Sequence, residues 1–370
     1  KINLEVDDLL LSKKIRNLYK KKINKNIFNS FKKTIRNVKK FHNLQIPKDY
    51  EIFNKGVKIK SRWNAIDSVG LYIPGGKAVY PSSIIMNVIP AIIAGVKRIV
   101  CVIPPSKNIN PYILALLNEL SVKEVYQIGG AQAIGALAFG TETIKPVNKI
   151  FGPGNQYVTA AKKQVFGKVG IDLIAGPSEI VVVANEKNNP DWVASDLIAQ
   201  AEHDTNAQSI LITNSLNFAK NVIKKIEKLI KTLPKKNIID KSLKQNGIII
   251  VVEDIMQSSQ IINYIGPEHL HIHVREKEKI LKNVSNAGCI FLGEYTSEAF
   301  GDYIVGTNHI LPTYGTSKFT SGLGVLDFMK RNSIVEMNYQ GFKNYEKDVQ
   351  QMAEVEDLLA HKLSVKIRQN

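Results

Sequence analysis

The sequence predicts a doubly wound α/β protein, and three observations carry that expectation. From about residue 66 to residue 252, apolar segments of strand length alternate with segments of helix length, the rhythm of β-α-β units around a parallel sheet. Turns rich in glycine and proline punctuate the junctions, at IPGG (73–76), IGGAQ (128–132), FGPGN (151–155) and AGPSE (175–179). The chain has 370 residues, 44% of them hydrophobic, enough to bury more than one core, so two domains are expected.

In chain order, the first 45 residues read as helices with many charges, and IDSVGLYI (66–73) reads as a strand ending at Pro74-Gly75-Gly76. A helix follows over 81–96, a buried strand over 97–105, a helix over 110–120, a strand over 122–130, a helix over 131–140 and a strand over 148–151. The pattern continues with a helix at 156–166, a strand at 179–185, a helix at 191–203 and a strand at 209–213. A lysine-rich helix at 215–232 and a strand at 247–252 complete it. From about residue 323 the alternation fades, and 345–363 reads as a charged helix with few apolar positions that packs on something else. The four glycine-containing turns are read as following apolar segments on the C-terminal side, where open parallel sheets bind ligands.

Composition narrows the function class. The chain carries 50 Lys and Arg against 33 Asp and Glu, a net +17. Such a balance suits a nucleic-acid partner, but the lysines cluster with Asn and Ile, as in KKTIRNVKK (32–40), without Arg-rich or aromatic-interleaved stretches. A solvated lysine surface, not a nucleic-acid site, is the expectation. Cys101 and Cys289 each sit in an apolar stretch and are too few for a disulfide framework, so they read as buried structural residues. Asn87, Lys97 and Arg98 interrupt the longest apolar run before it reaches the roughly 18 residues a bilayer span needs. With no signal-peptide pattern, a cytoplasmic protein with no membrane partner is expected. The chain opens on Lys1 and is read as a fragment.

Several polar constellations interrupt this apolar framework. FGPGN places two glycines and Asn155 between a strand and a helix, where backbone N–H groups approach a phosphate or merely close a turn. Helix 191–203 begins behind Asn189-Pro190 and carries Asp196, Gln200 and His203 on one face, a metal-competent set or a capped helix end. In GPEHLHIHV (266–274) period two puts His269, His271 and His273 on one strand face, a metal comb or a half-exposed strand with solvated imidazoles. Glu268 beside His269 offers acid–base chemistry near neutral pH. Asp302 and His309 lie in a glycine-punctuated loop suited to binding, and His361 lies in the charged C-terminal helix.

Taken together, VGLYIPGG (69–76), GGAQAIGALAFGTE (129–142), KIFGPGN (149–155), AGPSE (175–179) and SDLIAQAEHD (195–204) resemble the histidinol dehydrogenase family. GPEHL (266–270), GDYIVGTNHILPTYG (301–315) and EVEDLLAHK (354–362) extend the resemblance, which runs in order from about residue 40 to the end. Family members carry several dozen residues before the point where this chain begins.

The resemblance implies two Rossmann-like parallel-sheet domains with a helical C-terminal extension. It divides the chain into 1–71 with 180–322, an NAD-side domain at 72–179, and an extension at 323–370 that reaches the other subunit's site in a homodimer. It implies a zinc- and NAD-dependent oxidation of L-histidinol through histidinaldehyde to L-histidine, the last stage of histidine biosynthesis. Gln200, His203, Asp302 and His361 match zinc ligands; Glu268 and His269 match the acid–base pair; Tyr72, Gln132 and Asn155 match NAD contacts. Ser178, His309 and Glu356 match substrate-lining positions, as do the zinc ligands and His269. Glu356 and His361 are five apart, about 140° around an ideal helix, whereas Asp357 would align with His361; the family match selects Glu356. A rival reading is an aldehyde dehydrogenase with Cys101 or Cys289 as nucleophile, although neither has an activating His nearby in sequence.

Overall fold

The computed structural model describes residues 9–20, 22–74, 80–106, 108–174 and 176–369; Gly75 and Gly76 of the first turn and Ala175 of AGPSE lie outside them. The chain divides into two compact units, Lys1–Gln45 with Ile66–Phe328, and Ile46–Ala65 with Met329–Asn370.

The first unit holds two five-stranded parallel sheets. In sheet one the spatial order is Glu124–Tyr126, Arg98–Val102, Ser68–Tyr72, Lys149–Phe151 and Gly170–Ile171. In sheet two it is Gly247–Val251, Gln208–Thr213, Glu179–Val183, His269–Ile272 and Cys289–Leu292. Both orders start at the centre, run to one edge, then return and run to the other, so the expected doubly wound, Rossmann-like α/β architecture is present. The central strands are apolar on both faces because helices cover both: Val69 and Leu71 in sheet one and Ile180 to Val183 in sheet two are fully buried.

Helix starts follow the sequence signals. Asn110, Asn155, Asn189 and Ser215 each accept a backbone N–H in the first turn, and Pro111 and Pro190 fill a position whose N–H has no helical partner. At the switch point of sheet one, the turn after Lys149–Phe151 passes against the end of Ser68–Tyr72. Gly152 has φ +107°, and a Cβ there would stand 2.1 Å from the Tyr72 carbonyl oxygen, so only glycine fits.

Sheet two is entered from the same side. IPGG, IGGAQ, FGPGN and AGPSE follow the C-terminal ends of the sheet-one strands Ser68–Tyr72, Glu124–Tyr126, Lys149–Phe151 and Gly170–Ile171, as expected. AGPSE then leads into Glu179–Val183 and GPEHL into His269–Ile272, so these two turns also stand at the N-terminal edge of sheet two. The two faces of sheet two are distinct. Val181, Val183, Leu270 and Ile272 pack with Ile262 and Ile280 on one; Ile180 and Val182 pack with Val193, Ala194 and Leu197 on the other. In register, His269 pairs with Ile180 and His271 with Val182, so the histidines face the helix Pro190–Ala201. They are buried beneath it, not half-exposed.

The second unit is an antiparallel sheet, Tyr50–Asn54, Val57–Ala65 and Met329–Met337, with helices Tyr339–Val355 and Leu359–Lys366. Lys55 and Gly56 form a two-residue hairpin turn with φ +47° and +83°. A continuous helix over 345–363 is replaced by two, because Asp357 takes φ +57° between them. No described helix is long and apolar enough to cross a membrane.

Phe328 closes the first unit by stacking on Phe151, ring centroids 4.1 Å apart, with both side chains fully buried. Phe328→Ala is expected to cost about 3–5 kcal/mol, read as a lowered urea midpoint; a loss below about 1 kcal/mol would show that the site collapses around the smaller residue.

Candidate active site

A cavity of about 1130 Å³ opens within the first unit, between the C-terminal turns of sheet one and the N-terminal edge of sheet two. Tyr72, Asn155 and Ser178 line it, as do His203, Glu268, His269, Asp302 and His309.

The sheet-one wall is braced from behind. Lys162, buried on the helix Gln156–Val165, donates to the carbonyl oxygens of Gly152 and Leu173 at 3.0 Å each and to the Asp172 carboxylate. Asp172 in turn accepts the Gly152 N–H at 2.7 Å. Burial raises the Asp172 pKa, and Lys162 opposes that rise. This pair fixes the FGPGN turn, so Asn155 projects from a rigid base. The Asn155 side-chain oxygen caps the helix through Tyr157 N and Val158 N, both at 3.1 Å, leaving its amide N–H groups for a ligand. The Tyr72 hydroxyl accepts the Gly130 N–H at 3.1 Å. Gln132 lies on the exposed first turn of the helix Gly130–Phe139, outside the cavity lining.

The opposite wall carries the titratable groups. His269 Nδ1 donates to the Glu179 carbonyl at 3.2 Å, which turns Nε2 toward Asp302, 3.7 Å from its Oδ1. That is too long for a hydrogen bond, and buried Nε2 has no hydrogen-bond partner among the described residues. Glu268 lies 3.7 Å from His269 Nδ1 and accepts the Glu179 N–H at 2.9 Å. Burial disfavours a charged His269, but the carboxylates of Glu298, Glu268 and Asp302 overcome it and raise its pKa to about 10. Burial pushes Glu268 up to about 7 and Glu298 up to about 8, with neighbouring carboxylates adding and His269 opposing. Burial also resists charge on Asp302, yet the adjacent His269, with His309 and His203, holds its pKa below the usual value.

Glu298 was not among the residues the sequence reading selected. It sits four residues before Asp302 in the helix Glu298–Tyr303, a spacing that places two carboxylates on one face and was available as a signal. The amide orientation of Gln200 that satisfies both residues has its nitrogen donating to both Glu298 oxygens at 2.9 Å, which turns the Gln200 carbonyl oxygen away from Glu298. His203 follows one turn later on an accessible surface, in a concavity whose burial lowers its pKa while Asp302 opposes. His309 Nδ1 lies 3.1 Å from the Asp302 carbonyl, and Nε2 lies 3.3 Å from Ser83 Oγ.

Glu356, Asp357 and His361 belong to the second unit and are exposed there. Glu356 caps the helix Tyr339–Val355, and His361 lies in the next helix. The ideal-helix angle between them has no meaning across that break. Cys101 is fully buried and its thiol is pushed to about 12 by burial; Cys289 is pushed to about 11 for the same reason. Neither is poised as a thiolate nucleophile.

Glu268, Glu298 and His269 all hold protons more tightly in the folded chain. Each contributes stability that is complete below its unfolded pKa and lost as pH rises through its folded one. By about pH 7, His42, His203, His273 and His309, whose values burial lowers, are largely neutral in both states, and Asp196 and Asp302, held low, are ionised in both. Chelator-treated protein is therefore expected to lose stability between about pH 7 and about pH 9. The urea midpoint measures this, and a flat or rising midpoint would contradict the charge assignment.

The family model described as histidinol dehydrogenase matches residues 2–369. The chain is 49% identical over 333 residues to histidinol dehydrogenase 1 from Nostoc sp., covering 90% of this chain and 77% of that one. It is 50% identical over 335 residues to histidinol dehydrogenase from Nitrobacter winogradskyi, covering 90% and 78%. It is also similar to the crystal structure of histidinol dehydrogenase from Elizabethkingia anophelis, with a TM-score of 0.94 and 38% identity over 98% of this chain and 85% of that one. With the family matched over nearly its whole length, and the same fold in a solved relative, this chain belongs to the histidinol dehydrogenase family.

Proposed function

We infer that this chain oxidises L-histidinol through histidinaldehyde to L-histidine in histidine biosynthesis, using NAD as hydride acceptor and a zinc ion to hold the substrate. The observation that carries the reading is His269, which lines the cavity with Nδ1 3.7 Å from Glu268 and Nε2 3.7 Å from Asp302, Nε2 having no hydrogen-bond partner among the described residues.

The donor set suits zinc. The Asp302 carboxylate and the His203 imidazole line the cavity, and with the Gln200 side-chain oxygen they are oxygen and nitrogen ligands of the kind a borderline divalent ion takes. His361 is the proposed fourth ligand. When bound, zinc supplies an electrophilic anchor for the amine and imidazole nitrogens of histidinol.

His269 takes the proton from the substrate hydroxyl as hydride leaves the carbinol carbon for the nicotinamide. When His269 is neutral, the bond from Nδ1 to the Glu179 carbonyl fixes the tautomer in which Nε2 carries the accepting lone pair. Glu268, with its pKa near 7, takes a proton from water as water adds to the aldehyde. The resulting hydrate gives up the second hydride and a proton and becomes the carboxylate. Ser178, His309 and Glu356 are assigned to the substrate, and Tyr72, Gln132 and Asn155 to NAD on the sheet-one side, within 72–179. Asn155 supports this through its spare amide donors on the braced turn.

The protein is proposed to be a cytoplasmic homodimer whose 323–370 segment reaches the other subunit's site. Val355, Leu359, Leu363 and Ile367 are each at least 56% exposed, apolar surface that a second copy would cover.

Limiting L-histidinol with excess NAD and zinc is expected to yield about two NADH per substrate, since alcohol and aldehyde each lose one hydride; about one would leave a simple alcohol dehydrogenase. His269→Asn is expected to slow alcohol oxidation by roughly 10²–10⁴-fold. Glu268→Gln should spare that step and slow oxidation of supplied histidinaldehyde by a similar factor; equal losses in both steps would refute the division of labour.

A further inference from the structure

Farther along the same strand stands a second buried polar cluster. Asp196 Oδ2 lies 2.9 Å from His271 Nδ1 and 2.9 Å from His273 Nε2, and all three residues are buried. The two imidazole rings overlap with centroids 3.8 Å apart. None of the three lines the cavity, and the strand rise puts His271 about 7 Å beyond His269.

Two imidazoles converge on one carboxylate oxygen. His271 Nε2 lies 3.0 Å from the carbonyl oxygen of Gly293, and carries a proton to donate there. His273 Nε2 meets Asp196 with hydrogen-bond geometry. His271 Nδ1 meets the same oxygen at the same distance but off the line of an N–H bond, and has no hydrogen-bond partner among the described residues. With its one proton on Nε2, His271 would turn a lone pair onto a carboxylate oxygen in a dry interior, a costly juxtaposition that a second ring proton or a cation relieves. A shared cation removes the conflict. Both imidazole nitrogens become lone-pair donors to it, and the Nε2–H bond to a backbone carbonyl is the outer contact that orients a metal-bound histidine.

Asp196 Oδ2 stands 2.9 Å from an imidazole nitrogen of each histidine. An ion about 2.0–2.2 Å from each donor in tetrahedral geometry would spread them by roughly half an ångström. Two imidazoles and one carboxylate favour a zinc-like ion over magnesium or calcium. The cluster also lies toward the C-terminal ends of Glu179–Val183 and His269–Ile272, the strands between which the order of sheet two reverses. Doubly wound sheets build ligand sites there.

We propose that Asp196, His271 and His273 form a second, structural site for a zinc-class divalent ion, separate from the one assigned to substrate binding. The ion ties the helix Pro190–Ala201 to the strand His269–Ile272, and so steadies Gln200, one turn beyond Asp196, against Glu298. Because the cluster is closed to solvent, the ion enters as the chain folds.

The test is the zinc content, by elemental analysis, of full-length protein expressed in zinc-supplemented medium and dialysed. Wild type is expected to retain about two ions per chain, and the paired variant H271Q/H273Q about one. His203→Ala, which removes a proposed substrate-site ligand, is expected to retain about one, the buried ion. Equal zinc in wild type and H271Q/H273Q overturns the proposal. So does a wild-type content of about one that falls to none in His203→Ala, a comparison that stands even if the paired variant does not fold. Zinc lost from H271Q/H273Q but unchanged in His203→Ala supports the buried site and counts against the substrate-site zinc instead.

Discussion

The helix Pro190–Ala201 lies over the strand His269–Ile272 with polar side chains facing each other where a doubly wound sheet ordinarily buries apolar ones. Asp196 meets His271 and His273, while Gln200, one turn on, reaches Glu298 beside His269. Burying this row of carboxylates, amides and imidazoles is costly unless each member is paired. The charge states of the active-site groups follow from that requirement. Against the effect of burial, the carboxylates of Glu298, Glu268 and Asp302 raise the His269 pKa, and burial first, with neighbouring carboxylates adding, pushes Glu268 and Glu298 up.

The same carboxylates that favour charge on His269 are the ones a cation at Asp302 would compete for. In the proposed zinc-bound form, an ion held by Asp302 and Gln200 would draw Asp302 away from the imidazole and shift His269 toward the neutral form a proton acceptor needs. On that proposal metal binding and base strength would be coupled in one buried cluster. Across the cavity the brace is of another kind. Lys162 and Asp172 are buried, mutually neutralising and fully engaged with the backbone of the Gly152 turn, so that wall is set by fixed hydrogen bonds.

The edges of the two sheets explain how one cavity draws on both. Sheet one contributes the C-terminal turns expected of a doubly wound fold, and sheet two contributes the N-terminal entries to Glu179–Val183 and His269–Ile272. The position of Glu268 and His269 at a strand entry gives short, rigid side-chain placement, since Glu268 takes its bond from Glu179 on the neighbouring strand. This leaves the C-terminal edge of sheet two to the Asp196, His271 and His273 cluster.

Much of the architecture was legible in the chain alone. Strand-length apolar runs and Asn or Ser caps followed by helical periodicity determined the parallel sheets and most helix starts, because both rest on local spacing and local hydrogen bonds. The longer motif blocks identified the family. What local pattern does not contain was decided by tertiary structure. Alternation put His269, His271 and His273 on one face, but only the helix packed over them buried that face and divided it between Glu298 and Asp302 on one side and Asp196 on the other. The spacing of Glu298 to Asp302 is local, but its pairing with Gln200, 98 residues away in sequence, is not. The break at Asp357 escaped notice, since a positive φ at a non-glycine residue leaves no mark in the hydrophobic pattern. Short-range spacing names the residues; their protonation, pairing and burial depend on groups that only the fold brings together.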